Sequence, residues 1–193
     1  MLREEQTENK ADYVMLYIWG DDHLRSLLRC RYMLTASWNR DQNDKEGMGR
    51  LFHGNFWSNL EMNLATGELE EKNSLLSTPE SLQQMTDPSW MVEHLQDDLT
   101  LQMGLYSQGQ IHDLDVAKLK QLSGHLNRSL DLDKNPVPRA TVASLLDAYS
   151  FAATKTILTK AKAFTAKHDK KLMIILFDPY RVTRALLEGG TRY

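Results

Sequence analysis

Two short stretches of the chain are apolar without interruption, Tyr13-Val14-Met15-Leu16-Tyr17-Ile18-Trp19 and Leu172-Met173-Ile174-Ile175-Leu176-Phe177. A strand with one wet face would alternate, so runs of this length predict buried strands of a parallel sheet, covered on both faces. The covering layer is visible ahead of the second run. Pro138 suits a first helical turn, and Val142, Leu145, Leu146, Tyr149, Ala153, Ile157 and Ala161 then recur at helical spacing. Lys160, Lys162, Lys167 and His168 crowd the far end, where cations complement the helix dipole. A long helix delivered into a short buried strand is half of a βαβ unit. Beyond that strand, Asp178-Pro179 breaks the run, and Arg181 to Glu188 predicts one more helix closed by Gly189-Gly190.

The first strand is expected to feed a helix from Asp22 to about Trp38, with Leu24, Leu27, Leu28, Met33 and Leu34 as its apolar stripe. Asn39 to Gly49 has almost nothing to bury and reads as an exposed loop. The texture then changes. Phe56, Ser58, Leu60, Met62 and Leu64 alternate with Trp57, Asn59, Glu61 and Asn63, and Ala65-Thr66-Gly67-Glu68 turns the chain into Leu69 to Asn73, which predicts a β-hairpin. Ser77-Thr78-Pro79-Glu80 and Asp87-Pro88-Ser89-Trp90 both read as helix starts. The chain is therefore expected to form a single α/β domain over residues 1–193, with a mixed insertion at 39–136 that contains the hairpin.

Composition narrows the function. The 193 residues are 41% hydrophobic and 25% charged, an ordinary globular balance sufficient for one core. A net charge of -3, with basic residues scattered, argues against nucleic acid as a partner. No apolar run approaches the roughly 18 to 20 residues needed to span a bilayer. Met1 to Lys10 is charged and polar, unlike a secretory signal, which makes the cytoplasm the default location. The one cysteine, Cys30, excludes an internal disulfide and is expected to be a small buried hydrophobe. Neither Gly-x-Gly-x-x-Gly nor a Gly-Lys-Ser/Thr phosphate loop occurs, which sets a nucleotide binder aside.

Candidate chemistry follows from strand polarity. Open parallel sheets carry their ligand crevice at the carboxyl ends of the strands, where loops diverge and helix N-termini point inward. Gly20, Asp21 and Asp22 follow the first strand, and Asp178 follows the last. If the two strands are neighbours, Asp22, His23 and Asp178 share a cleft, with His23 as an acid or base oriented by a carboxylate. Equally, the aspartates are helix caps and His23 lies on a solvated first turn.

The run Ala11 to Arg25, an apolar strand closing in Gly20-Asp21-Asp22, resembles the stretch of SGNH (GDSL-type) hydrolases that ends in a Gly-Asn-Asp or Gly-x-Asn-Asp block. The segment Ala140 to Phe177 with Asp178-Pro179 is similar to that family's next α/β unit. The resemblance implies a three-layer sandwich around a parallel sheet, flavodoxin-like or SGNH-like. It also implies hydrolysis of acyl or O-acetyl esters by a serine mechanism with no cofactor and no metal. By position, Gly20 would be the backbone donor to the oxyanion, and Asp21 or Asp22 stands where the family has asparagine. An ionised aspartate accepts hydrogen bonds and cannot donate one to a developing negative charge. The family's Gly-Asp-Ser and Asp-x-x-His motifs are absent from the chain. An internal piece of a longer hydrolase accounts for both absences. The alternative is a noncatalytic glycan- or protein-binding module built from the hairpin and the Gly20-Asp21-Asp22 edge. The expected partner is thus a small ester or a glycan.

Three further groups of residues carry less. His112-Asp113-Leu114-Asp115 lacks the glycine and terminal glutamate of a calcium loop and reads as a surface loop. His53-Gly54-Asn55 suits a turn, and Trp38, Trp57 and Trp90 read as core or as the lining of a groove. Ser144 and Ser150 lie on the long helix, where nothing activates a hydroxyl.

Overall fold

The computed structural model describes residues 11–20, 22–30 and 56–177. In chain order they form β1 (Tyr13–Trp19), α1 (Asp22–Arg25), β2 (Asn59–Met62), β3 (Leu69–Lys72) and a 3-10 helix (Glu80–Thr86). These are followed by α2 (Pro88–Leu95), α3 (Leu99–Ser107), α4 (Val116–His125), α5 (Arg139–Lys167) and β4 (Lys171–Phe177). The result is a mixed α/β protein with a two-strand parallel sheet, a hairpin and five α-helices among the described residues. The chain divides into two compact units, Met1–Asp22 with Lys155–Tyr193, and His23–Thr154.

In the first unit, β1 and β4 pair in parallel over their whole length, from Tyr13 opposite Lys171 to Trp19 opposite Phe177. The anticipated strands and their parallel pairing are present, whereas among the described residues no cover is seen. Among the described residues neither strand has a buried side chain; Met15 is 59% exposed and Leu176 70%. An unbroken apolar run signals that both faces can be dry, yet it does not supply the layers that would dry them. Alternate residues of β1 point the same way, and Tyr17 and Trp19 on that face both contact the ring of Phe177, at centroid distances of 6.1 and 5.7 Å.

The second unit holds the main core. Leu27, Leu28, Met103, Leu119, Leu122, Val142 and Leu145 are almost fully buried, each such side chain contributing about 1.5–3 kcal/mol on leaving water. Helix α5 begins where anticipated, with the N–H groups of Thr141 and Val142 donating to the Pro138 carbonyl. Val142, Leu145, Leu146, Tyr149 and Ala153 face inward. Helix α2 also starts as its sequence indicates, Asp87 accepting from the N–H groups of Ser89 and Trp90 with Pro88 in the first turn. The other anticipated start gives only the 3-10 helix, with Thr78 Oγ1 accepting from the Ser81 N–H at 3.3 Å.

The helix anticipated from Asp22 to about Trp38 is corrected: α1 stops at Arg25. Immediately afterwards the Ser26 carbonyl accepts from the Leu60 N–H at 2.8 Å, and Cys30 forms an isolated antiparallel bridge with Phe56. Leu27, Leu28 and Cys30 are all buried, a spacing that a helix with one apolar face would not bury together. The chain here joins the hairpin and the core of Leu28, Cys30, Phe56, Leu76, Leu95 and Leu101. The part of that helix beyond Cys30, the loop Asn39 to Gly49, His53-Gly54-Asn55, Trp38 and the C-terminal helix from Arg181 lie outside the described residues.

The hairpin matches its pattern. β2 and β3 pair from Asn59 opposite Lys72 to Met62 opposite Leu69. Asn63 builds the turn, its side-chain oxygen accepting from the N–H of Ala65 at 3.0 Å and its carbonyl from Gly67 at 2.7 Å. Gly67 has φ +78, and a Cβ there would also lie 2.5 Å from the His125 ring, so only glycine fits. Cys30 is buried and outside any disulfide, and Ser150 donates to the Leu146 carbonyl of its own helix.

Candidate functional site

Two places gather polar chemistry, one in each unit. The first is the end of the parallel sheet. Because β1 and β4 run in register, their carboxyl ends lie side by side, and the Gly20 N–H donates to the Phe177 carbonyl at 3.3 Å. That is the neighbour relation a shared edge requires. It also engages the one backbone donor that the family resemblance assigns to an oxyanion. Asp22 turns back toward the strand, its Oδ2 accepting the Trp19 N–H at 2.7 Å, so the carboxylate shapes the turn. Asp21 and Asp178, the other acidic residues anticipated at this edge, lie outside the described residues.

His23 opens the second unit. Its Nδ1 lies 2.7 Å from Thr154 Oγ1, and its ring packs on Phe151 at 4.9 Å. The Thr154 hydroxyl donates to the Ser150 carbonyl at 3.1 Å. A hydroxyl has one proton, so with that proton on Ser150 the histidine is the donor and Nδ1 carries hydrogen.

The second place was not anticipated from sequence. A cavity of about 300 Å3 in the His23–Thr154 unit is lined by Arg29, Asn59, Glu61, Asp97, Asp98 and Tyr149 among others. Asn59, Glu61 and Asn63 stand at alternate positions and project from one face of the hairpin. Arg29 holds the acidic side together, its guanidinium donating to Asp97 at 2.9 Å and to both oxygens of Glu61 at 3.2 and 3.3 Å. Burial opposes the arginine's charge, but Glu61, Asp98 and Asp97 outweigh it and raise its pKa above the ordinary value. Asp98 is itself buried and caps α3 by accepting from the Leu101 N–H at 3.1 Å. Burial moves its carboxyl above the usual carboxylate range, against the Leu101 hydrogen bond and the charge of Arg29. Tyr149 accepts the Met62 N–H at 2.7 Å, and its burial pushes the phenol up to about 12.

The only trace of this cluster in the sequence is the run of polar residues Asn59, Glu61 and Asn63 alternating along a hairpin strand. Among the described residues no group of three or more His, Cys, Asp or Glu side chains could hold a metal ion. His112 and Asp113 line a separate, shallower cavity with Lys120 and Asp133, while Asp115 caps α4. Trp57 is exposed, whereas Trp90 packs on Phe56 and stacks on His94. No described helix is long and apolar enough to cross a membrane.

No family model matches the chain, and no significant match exists among curated proteins or solved structures. The class defined by the fold is therefore that of a mixed α/β protein.

Proposed function

We propose that this chain supplies one edge of an SGNH-type ester hydrolase, a three-layer sandwich acting on acyl or O-acetyl esters by a serine mechanism. The observation that supports the reading is the parallel, in-register pairing of β1 and β4, which sets Gly20 beside Phe177 at the carboxyl end of the sheet. In this reading Gly20 and Asp21 border the oxyanion, and Asp22, His23 and Asp178 belong to the acid-base side. The reading requires a serine and a second histidine from Gly-Asp-Ser and Asp-x-x-His motifs, which this sequence does not contain. His23 suits its role in one further respect, the Nδ1-H tautomer that its bond to Thr154 favours.

The test combines gene sequence and turnover. The reading expects a strand ending in Gly-Asp-Ser within about a hundred residues upstream, a typical domain length. It expects the extended protein to hydrolyse short p-nitrophenyl esters, and this chain alone to leave them intact. Turnover by this chain alone, lost in His23→Ala, would show that the catalytic set is complete here and overturn the reading as stated. Absence of both motifs from the flanking sequence would remove the hydrolase altogether.

A second reading, a noncatalytic module for a glycan or protein, has its own support. The Gly20 N–H is already bonded to Phe177 and the Asp22 carboxylate to Trp19, which suits a rigid edge better than a donor awaiting an oxyanion.

A further inference from the structure

We propose that the aromatic face of the β1–β4 sheet is an interface at which a second copy of this chain docks face to face. The surface lies wholly within the unit formed by Met1–Asp22 and Lys155–Tyr193 and stands independently of the ester-hydrolase reading.

Register defines the face. In the parallel pairing Tyr13, Met15, Tyr17 and Trp19 stand level with Lys171, Met173, Ile175 and Phe177, and side chains at alternate positions share one side of a sheet. On that side Tyr13, Met15, Tyr17, Trp19, Met173 and Phe177 are each between 43% and 59% exposed. The intervening residues of β1, Val14, Leu16 and Ile18, point the other way and are all partly buried. In β1, exposure therefore alternates with the face.

Area argues for an occupant. Six large apolar side chains of about 200 Å2, each about half exposed, leave on the order of 600 Å2 of contiguous apolar surface. That is the upper end of what a monomer shows to water, and parallel sheets are otherwise covered on both faces. Two such faces together would bury about 1,200 Å2, the threshold of a specific, stable protein interface.

Charge argues for a second copy. Lys171 is the one charged side chain among the eight of this face, and its Nζ lies 5.3 Å from the centroid of its own Tyr13 ring. Two copies docked face to face are related by a two-fold axis in the interface, running either along the strands or across them. An axis along the strands sets Lys171 against the partner's Tyr13, and an axis across them sets it against the partner's Phe177. Both arrangements oppose the cation to an aromatic ring, which attracts it, and never to the other lysine. Every remaining opposition is apolar. A nucleic acid or an acidic peptide would find a single cation here, too little charge to hold it.

Sedimentation equilibrium of the full chain tests the inference. The weight-average mass should rise from 22.2 kDa toward twice that value between low micromolar and submillimolar concentration, as suits an interface of this small size. Met15→Glu places a carboxylate in the middle of the face and should weaken association about tenfold or more. Leu176→Glu, at a position 70% exposed on the opposite side of the same sheet, should leave the mass curve unchanged. Met173→Glu repeats the test should Met15→Glu fail to fold. The wild type supplies a readout that needs no variant: in a half-labelled sample, isotope-filtered NOEs should join Lys171 of one copy to Tyr13 or Phe177 of the other. A monomer at every concentration would overturn the inference and leave the face to another segment of the chain or to a different partner. Association that survives in folded Met15→Glu or Met173→Glu, equal weakening by Leu176→Glu, or no intermolecular NOE from Lys171 would each overturn it as well. None of these outcomes depends on ester turnover.

Discussion

Strand β4 and the buried half of helix α5 are made of similar apolar residues and meet opposite environments. Val142, Leu145, Tyr149 and Ala153 of the helix are all but inaccessible, while Met173, Ile174, Leu176 and Phe177 of the strand remain substantially exposed. The difference lies in patterning rather than in hydrophobicity. A helical repeat names the face that packs and implies a partner surface of the same width. A continuous apolar strand names no face, and its stability depends on layers contributed from elsewhere. Stability should accordingly be concentrated in the His23–Thr154 unit. The sheet edge proposed for chemistry should be the less stable region, as is common for functional sites.

Substitutions should break this contrast in a definite order. Leu145→Ala removes a side chain with 0% exposure and is expected to cost about 2–5 kcal/mol in urea denaturation, the largest effect of any single truncation considered. Tyr149→Phe comes next. It leaves the buried Met62 N–H without its acceptor, at about 1–3 kcal/mol near neutral pH. It should also change the alkaline response. With the folded phenol at about 12 and the unfolded one near 10.0, the unfolded chain ionises first. Stability present below pH 10 is then lost as pH rises toward 12, by about 2–3 kcal/mol for this residue. Melting curves of the wild type against Tyr149→Phe across that range should converge as pH rises. The smallest effect is expected at the sheet. Leu176→Ala, at 70% exposure, should stay within about 0.5 kcal/mol, and a cost comparable to Leu145→Ala would show that the sheet is covered in solution.

Much of this architecture was legible from pattern alone. The helical repeat from Val142 to Ala161 marked α5, Asp87-Pro88 marked the start of α2, and Ala65 to Glu68 marked the hairpin turn. The segment after Asp22 was misread because Leu24, Leu27 and Leu28 fit a helical stripe. The competing interaction, the Ser26 carbonyl with Leu60, depends on a hairpin far along the chain. Of the candidate site, the strand edge was legible because strand polarity fixes where a sheet opens. The Arg29 cluster was not, since Arg29 meets Glu61 across 32 residues and Asp97 across 68, and no local spacing announces such a meeting.

Native-state hydrogen exchange tests the contrast between the two regions most directly. The account predicts that amides of α3 and of α5 between Val142 and Ala153 exchange only through global unfolding, whereas those joining β1 to β4, including Gly20, exchange through local opening at clearly lower free energy. Equal protection of the two sets, falling together with denaturant, would contradict it.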